Sequence, residues 1–377
     1  MKYRILMVAM ALKWFMEPFD RGGMTEMIPY SNRIWKHGAF HFIQPFADAQ
    51  GDLSKVDLYL DNNAFIDLLR SDNLLDGLKN VPGAQEFTLN PSIALAEQWI
   101  SNPVFREQAK AGLGRHEMIE RFMATAAVRG QIFAPNYIDE MIGMCQKREP
   151  DLRVMAGALF AYIAALRSLQ RRKMPFEDRM ARFRTLLVGD VPVFAGLIGL
   201  AAFTLYALAD RGAVDQSGVQ LVTSVDSFFA PKDDEPEALS QGYLRNRAMD
   251  LLTWYMMPRF LNAEVNKNAP TPLVVTADKF LAAVPFRFLP PLRVQGHTPA
   301  IALVVIPDGL DEKDQNGFLG TFRRLQPPPR QGGFPIERRL VMLENLNKAV
   351  SAILSTEDRV GFDWGLQWAA APAPNPT

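Results

Sequence analysis

The sequence predicts an α/β protein, a parallel sheet with flanking helices and a large helical insertion. Three observations predict it. Two short apolar runs, Lys55-Val-Asp-Leu-Tyr-Leu and Pro272-Leu-Val-Val-Thr-Ala, lie far apart, and each ends at an acidic residue, Asp61 and Asp278. Each is followed by a helical pattern, and a strand that turns at once into a helix is the unit from which parallel sheets are wound. Between the two, from about residue 103 to 210, one helical periodicity follows another with few strand signals.

Taken in order, residues 1–55 read as an N-terminal extension of mixed helix and loop. Its apolar start, MKYRILMVAMALKWFM, is interrupted by Lys13 and lacks a small-residue cleavage site, so no signal peptide is expected. His37 and His41 fall at helical spacing, as half a metal site or, more plainly, as two histidines among aromatic neighbours. The first core strand covers 56–60. Ala64, Phe65, Leu68 and Leu69 then share one helix face. A turn at 80–84 precedes a short strand at 87–89. Asn90 or Ser92 can cap the next helix, with Pro91 near its start and Ile93, Leu95, Ala96, Trp99 and Ile100 along it.

The insertion, 103–240, carries helical patterns at 118–128, 137–144, 152–169, 175–188 and 191–209. The last of these is uncharged and long enough to span a bilayer. Pro192, two glycines and Thr204 favour a buried helix over a membrane-associated one, and solubility without detergent separates the two readings. Residues 219–225 are a less certain strand, and 231–237 a charged loop broken by proline. The core resumes at 241–310, with a helix over 241–257 and strands at 273–276 and 300–306. The C-terminal extension, 311–377, holds a linker at 326–334, a helix over 335–355 and an Ala/Pro tail.

Composition bounds the chemistry. A chain of 377 residues, 48% hydrophobic and 22% charged, can bury a large core. Lys plus Arg and Asp plus Glu both number 41, so the net charge is zero and any nucleic acid is met by a local basic groove. Arg171, Arg172, Lys173, Arg179, Arg182 and Arg184 are candidates for one side of it, or for solvated helix faces; Arg287 and Arg293 follow Asp278. The single cysteine, Cys145, permits neither an intramolecular disulfide nor a cysteine zinc site, which fits a reducing cytoplasm. None of the four histidines, His37, His41, His116 and His297, lies in an acidic motif.

Four acidic residues stand in unusual places. Asp61 and Asp278 follow strands, and the carboxyl ends of parallel strands form the ligand crevice of such sheets. Glu97 and Asp250 sit in apolar helices, Ile-Ala-Leu-Ala-Glu-Gln-Trp and Ala-Met-Asp-Leu-Leu-Thr-Trp. A carboxylate buried there is costly unless paired or bound to a metal. Hard divalent cations take oxygen ligands, and a carboxylate-held cation can activate water for phosphodiester hydrolysis. Taken singly, Asp61 and Asp278 also read as helix N-caps, and Glu97 and Asp250 as solvated positions.

These motifs resemble those of PIN-like domains. Leu58-Tyr-Leu-Asp61-Asn-Asn63-Ala-Phe-Ile looks like the opening strand of that family. Asn90-Pro-Ser92-Ile-Ala-Leu-Ala-Glu97 and Asn246-Arg-Ala-Met-Asp250-Leu-Leu resemble its second and third acidic motifs, and Leu273-Val-Val-Thr276-Ala-Asp278-Lys-Phe280 its fourth. The resemblance covers residues 56–102 and 245–306. It implies a metal-dependent ribonuclease, with Asp61, Glu97, Asp250 and Asp278 around Mg²⁺ or Mn²⁺. Asn63 and Thr276 would orient the carboxylates by hydrogen bonds. Arg245, Arg247 and Lys279 are the substrate-binding candidates, and single-stranded RNA is the expected substrate. Three features depart from the family. Asn62 stands where Thr or Ser is usual, the stretch from Glu97 to Asp250 is far longer than in a compact member, and the stretch from Asp250 to Asp278 is also long. Asp226 is therefore a rival to Asp250 as the third acidic residue. A non-catalytic PIN-like scaffold is the competing reading, and nothing in the sequence identifies a protein partner or an antitoxin.

Overall fold

The structure is a computed structural model that describes residues 28–46, 53–71, 73–111, 117–231, 239–260, 270–291, 309–327 and 334–369. Five strands form one open, mixed sheet: β1 (Ile34–His37), β2 (Phe40–Ile43), β3 (Lys55–Leu60), β4 (Glu86–Asn90) and β5 (Thr271–Thr276), in the order β1-β2-β5-β3-β4. β3 lies parallel to both β4 and β5. The chain passes from β3 to a neighbour on one side and later to a neighbour on the other. The carboxyl end of β3 is therefore the switch point at which such sheets open a crevice.

Alternation along the strands builds two cores. Val56, Leu58 and Leu60, with Leu89, Leu273 and Val275, face α1 (Asn62–Leu68), α2 (Asn73–Asp76) and α5 (Glu117–Val128), burying Phe65, Leu68, Leu74 and Phe122. Tyr59 and Val274 face the opposite way, against α3 (Ser92–Ser101) and α6 (Tyr137–Arg171). β5 is buried along its whole length, as expected of an interior strand covered on both faces.

The second face continues into a helical lobe. Its axis is α6, in which residues 152–169 are buried on every side, so the helix must be surrounded by others. α10 (Gln241–Phe260), α14 (Ile336–Ile353) and α15 (Thr356–Ala369) pack on it. So does α8 (Ala195–Ala209), which in turn carries α7 (Phe176–Leu187), α9 (Leu221–Phe229) and α13 (Glu312–Leu325). By length and composition α6 could cross a membrane, but its apolar window is wholly buried. The uncharged stretch at 191–209 supplies α8, whose Leu200, Ala201, Phe203 and Leu205 are also buried. α4 (Pro103–Lys110) and the short α11 (Lys279–Ala283) and α12 (Pro285–Phe288) complete the described α-helices.

Several expectations are corrected. The sheet is mixed rather than parallel, because part of the expected N-terminal extension joins it. β1 and β2 form an antiparallel hairpin through Gly38-Ala39, with Gly38 at φ +56°, and β2 pairs antiparallel with β5. His37 and His41 therefore lie on strands and not on a helix. Residues 219–225 do not form a strand. Leu221, Val222, Val225, Phe228 and Phe229 recur at helical spacing and bury one face of α9. The helical patterns at 137–144 and 152–169 are one helix running through Pro150. Proline has no N–H to give the preceding turn. There the buried Glu149 is braced by Arg153 at 2.9 Å and Lys110 at 3.3 Å. The C-terminal extension is largely helical and belongs to the lobe. The N-terminal apolar run, the strand expected at 300–306, His116, His297, Arg293, most of the 231–237 loop and the Ala/Pro tail lie outside the described residues.

Helix α15 meets the chain at Leu239 without room for a side chain: a Cβ on Gly361 would lie 1.9 Å from the Leu239 carbonyl oxygen. Backbone cannot yield as a flexible side chain can. Gly361→Ala is expected to cost about 1–3 kcal/mol of stability. Urea denaturation checks this, and an unchanged midpoint would contradict the close packing of α15.

Candidate functional site

The three parallel strands end together, and Thr276 links two of those ends. Asp61 follows β3 directly and caps α1, its Oδ1 accepting from the Ala64 N–H at 2.7 Å. Its Oδ2 accepts from Thr276 Oγ1 at 2.5 Å, and the same hydroxyl oxygen accepts from the Asp278 N–H at 2.8 Å. Asp278 in turn caps α11, its Oδ1 accepting from the Phe280 N–H at 2.8 Å. One buried hydroxyl thus holds the Asp61 carboxylate and the Asp278 backbone together. Capping, the plainer role read for Asp61 and Asp278, is real, and it leaves oxygen lone pairs on both.

Glu97 comes from α3, which is buried from Ser92 to Ile100. Its Oε2 accepts from the Asn62 N–H at 3.1 Å, so it reaches the start of α1 beside Asp61. Gln98 Nε2 donates to Asn62 Oδ1 at 2.6 Å and locks α3 against that turn. Asp250 arrives on α10 from the helical lobe. Its Oδ2 accepts from Arg247 Nη1 at 3.0 Å, and that nitrogen lies 3.6 Å from Asp278 Oδ2. Asp61, Glu97 and Asp278 are all less than a tenth exposed.

The carboxylates act on one another. Burial raises the Asp61 pKa to about 6; the bonds from Ala64 and Thr276 oppose this, and the Asp278 charge adds to it. Asp250 is pushed well above the ordinary carboxylate range. Burial is the main cause, followed by Asp278, with Arg247 opposing and Glu97 contributing. All four predicted residues therefore share one electrostatic environment. Asp226 does not belong to it: it lies exposed on α9, accepting from Gln170 Nε2 at 2.7 Å. Of the two, it is Asp250 that lies beside the other carboxylates.

The remaining candidates divide. Thr276 orients a carboxylate as expected. Asn63 acts on Asp61 through its backbone N–H, while its side chain is exposed. Lys279 is exposed and Arg245 partly exposed. Arg247 is not on the surface; it is 1% exposed and sits among the carboxylates. The basic run at 171–184 does not form a continuous strip. Arg179 is buried and donates to the Leu169 and Arg172 carbonyls, and Arg171 pairs with Asp358 at 3.3 Å. Arg287 pairs with Asp215.

Sequence reasoning missed Gln98 and His41. His41 stands opposite Thr276 in the β2–β5 register, with a buried Nδ1 that has no hydrogen-bond partner. Burial and Lys36 hold its pKa down, against the pull of Asp278. The hairpin alternation in Ile34-Trp-Lys-His-Gly-Ala-Phe-His-Phe-Ile is the signal that could have placed it there.

The donor set has the chemistry that Mg²⁺ or Mn²⁺ takes, four hard oxygen ligands from four separate elements. Its spacing does not match that chemistry. Among the described residues, no three His, Cys, Asp or Glu side chains are arranged to hold a metal ion, and a guanidinium bridges two of the carboxylates. No protein-family model matches this chain, and neither does any curated protein or solved structure.

The Asp61 shift sets a pH dependence. Because folding raises this pKa, the protonated group favours the fold. That contribution is complete below about pH 4 and is lost as the pH rises through about 6. An uncharged Asn escapes the loss. Metal-free Asp61→Asn should therefore be more stable than wild type near pH 7, by on the order of 2–3 kcal/mol, with the advantage gone near pH 4. Denaturant titrations at the two pH values check this; an advantage of equal size at both would contradict it.

Proposed function

We propose that this chain is a PIN-like, metal-dependent nuclease that cleaves single-stranded RNA internally. One observation carries the reading: Asp61, Glu97, Asp250 and Asp278, from four separate elements, gather at the carboxyl edge of three parallel strands. Their oxygen chemistry suits Mg²⁺ or Mn²⁺ but their present spacing does not, so the reading requires the carboxylates to close up before an ion that activates water could be held. Thr276 and the α1 backbone keep Asp61 oriented, and Asn62 and Gln98 do the same for Glu97. Lys279, which is exposed, and Arg245, which is partly exposed, are groups available to a phosphate. Single-stranded RNA is preferred because of the PIN-like motifs, and because a chain of zero net charge has little hold on a long duplex polyanion. The reading takes the protein as soluble and cytoplasmic, with its apolar helices inside the lobe.

A second reading is favoured by a specific observation. Arg247 already partly neutralises Asp250 and Asp278, as expected of a non-catalytic PIN-like scaffold whose acidic cluster is structural. Labelled RNA and DNA oligonucleotides separate the two. The nuclease reading expects internal cleavage of RNA with Mg²⁺ or Mn²⁺, abolished by EDTA and reduced at least about a hundredfold in Asp278→Asn. Cleavage that survives both treatments would show a different mechanism. No cleavage by a folded protein loaded with metal would leave the scaffold.

A further inference from the structure

We propose that the β1–β2 hairpin is the phosphate-contacting wall of the candidate site, with Lys36 and His41 together receiving one phosphodiester of a single-stranded RNA. This rests on the RNA-directed reading above, adds the surface that holds the strand, and involves no metal ion.

The strand register lays a polar row across the sheet. Lys36 on β1 stands opposite His41 on β2, and His41 stands opposite Thr276, the last residue of β5. Residues directly opposite one another in a sheet share a face, so these three side chains are neighbours on one side of it. Thr276 donates to Asp61, which follows β3. The row Lys36, His41, Thr276, Asp61 therefore runs along the carboxyl edge of the parallel strands, basic at the hairpin and acidic at the end of β3.

The basic end lacks an internal partner. Lys36 is exposed, and among the described residues its ammonium makes no hydrogen bond or ion pair. His41 is half-buried, and its buried Nδ1 has no hydrogen-bond partner. Buried polar atoms are seldom left so. Burial and Lys36 hold the His41 pKa down, against the pull of Asp278 and the Thr276 backbone. Two basic groups set directly opposite each other repel, and an anion between them turns that repulsion into two attractions. The arginines near the strand ends are engaged elsewhere. Arg247 is buried against Asp250, and Arg287 pairs with Asp215. A chain of zero net charge meets a polyanion only through a local basic surface, and this one adjoins the carboxylates.

The test is fluorescence anisotropy of a labelled single-stranded RNA with the full-length protein in EDTA, so that binding is read without cleavage. Lys36→Ala and His41→Gln should each bind at least about fivefold more weakly than wild type at low salt. Lys36→Ala should also flatten the dependence of log affinity on log salt by about 0.7, the loss of one phosphate contact, and Lys36→Arg should restore it. Lys313→Ala, which removes an exposed lysine paired with Asp210, should bind as wild type does. Wild-type affinity in either Lys36→Ala or His41→Gln overturns the shared contact and leaves the RNA-directed reading standing. Weaker binding by Lys36→Ala with an unchanged salt dependence overturns it too. If wild type binds no RNA, that reading fails and the proposal with it. A measurement on wild type needs no variant to fold. In protein labelled with ¹⁵N-histidine, the His41 ring signals should shift as RNA is added, and unshifted signals at saturating RNA would overturn the contact.

Discussion

Like charges buried together repel, and four carboxylates converge where β3, β4 and β5 end. Much of the local structure serves to contain that repulsion. Thr276 donates to Asp61 and accepts from the Asp278 backbone, so the two strand ends are set by one hydroxyl. Backbone N–H groups at the start of α1 and α11 take further carboxylate oxygens. Arg247 supplies positive charge, and burial raises the pKa of Asp61 and Asp250, which favours their neutral forms.

The same constraint explains the division of labour in the fold. The sheet provides Asp61 and Asp278 at a switch point, where crossing connections leave the strand ends uncovered. The lobe provides Asp250 and its counter-ion together, three residues apart on α10. α10 is held against the buried axis of α6, so the position of Arg247 and Asp250 depends on packing well away from the site. The long stretch between Glu97 and Asp250 is thus more than an ornament on a small core. It builds the scaffold on which Asp250 and Arg247 are carried.

Much of this was legible in the sequence. The strands before Asp61 and Asp278 and the helices bearing Glu97 and Asp250 were evident because apolar runs and helical periods are local signals. The choice of Asp250 over Asp226 was not, since a strand-like Val-Gln-Leu-Val-Thr-Ser-Val conceals a helical face that only packing reveals. The N-terminal hairpin escaped because Gly38 and the alternating residues around it were read through the spacing of two histidines. Arg247 was legible as a basic residue near the site but not as a buried one. Its role depends on Asp278, Phe280 and Ala230, each brought to it by the tertiary fold. Gln98 and His41 act across elements in the same way.

The proposed nuclease depends on whether Asp61, Glu97, Asp250 and Asp278 can gather a divalent cation. Anomalous scattering from crystals grown with Mn²⁺ tests it most directly. A metal-dependent nuclease predicts one strong peak at the cluster of Asp61, Glu97, Asp250 and Asp278. Crystals with no peak at the cluster at saturating Mn²⁺, and with Arg247 still bridging Asp250 and Asp278, would contradict it.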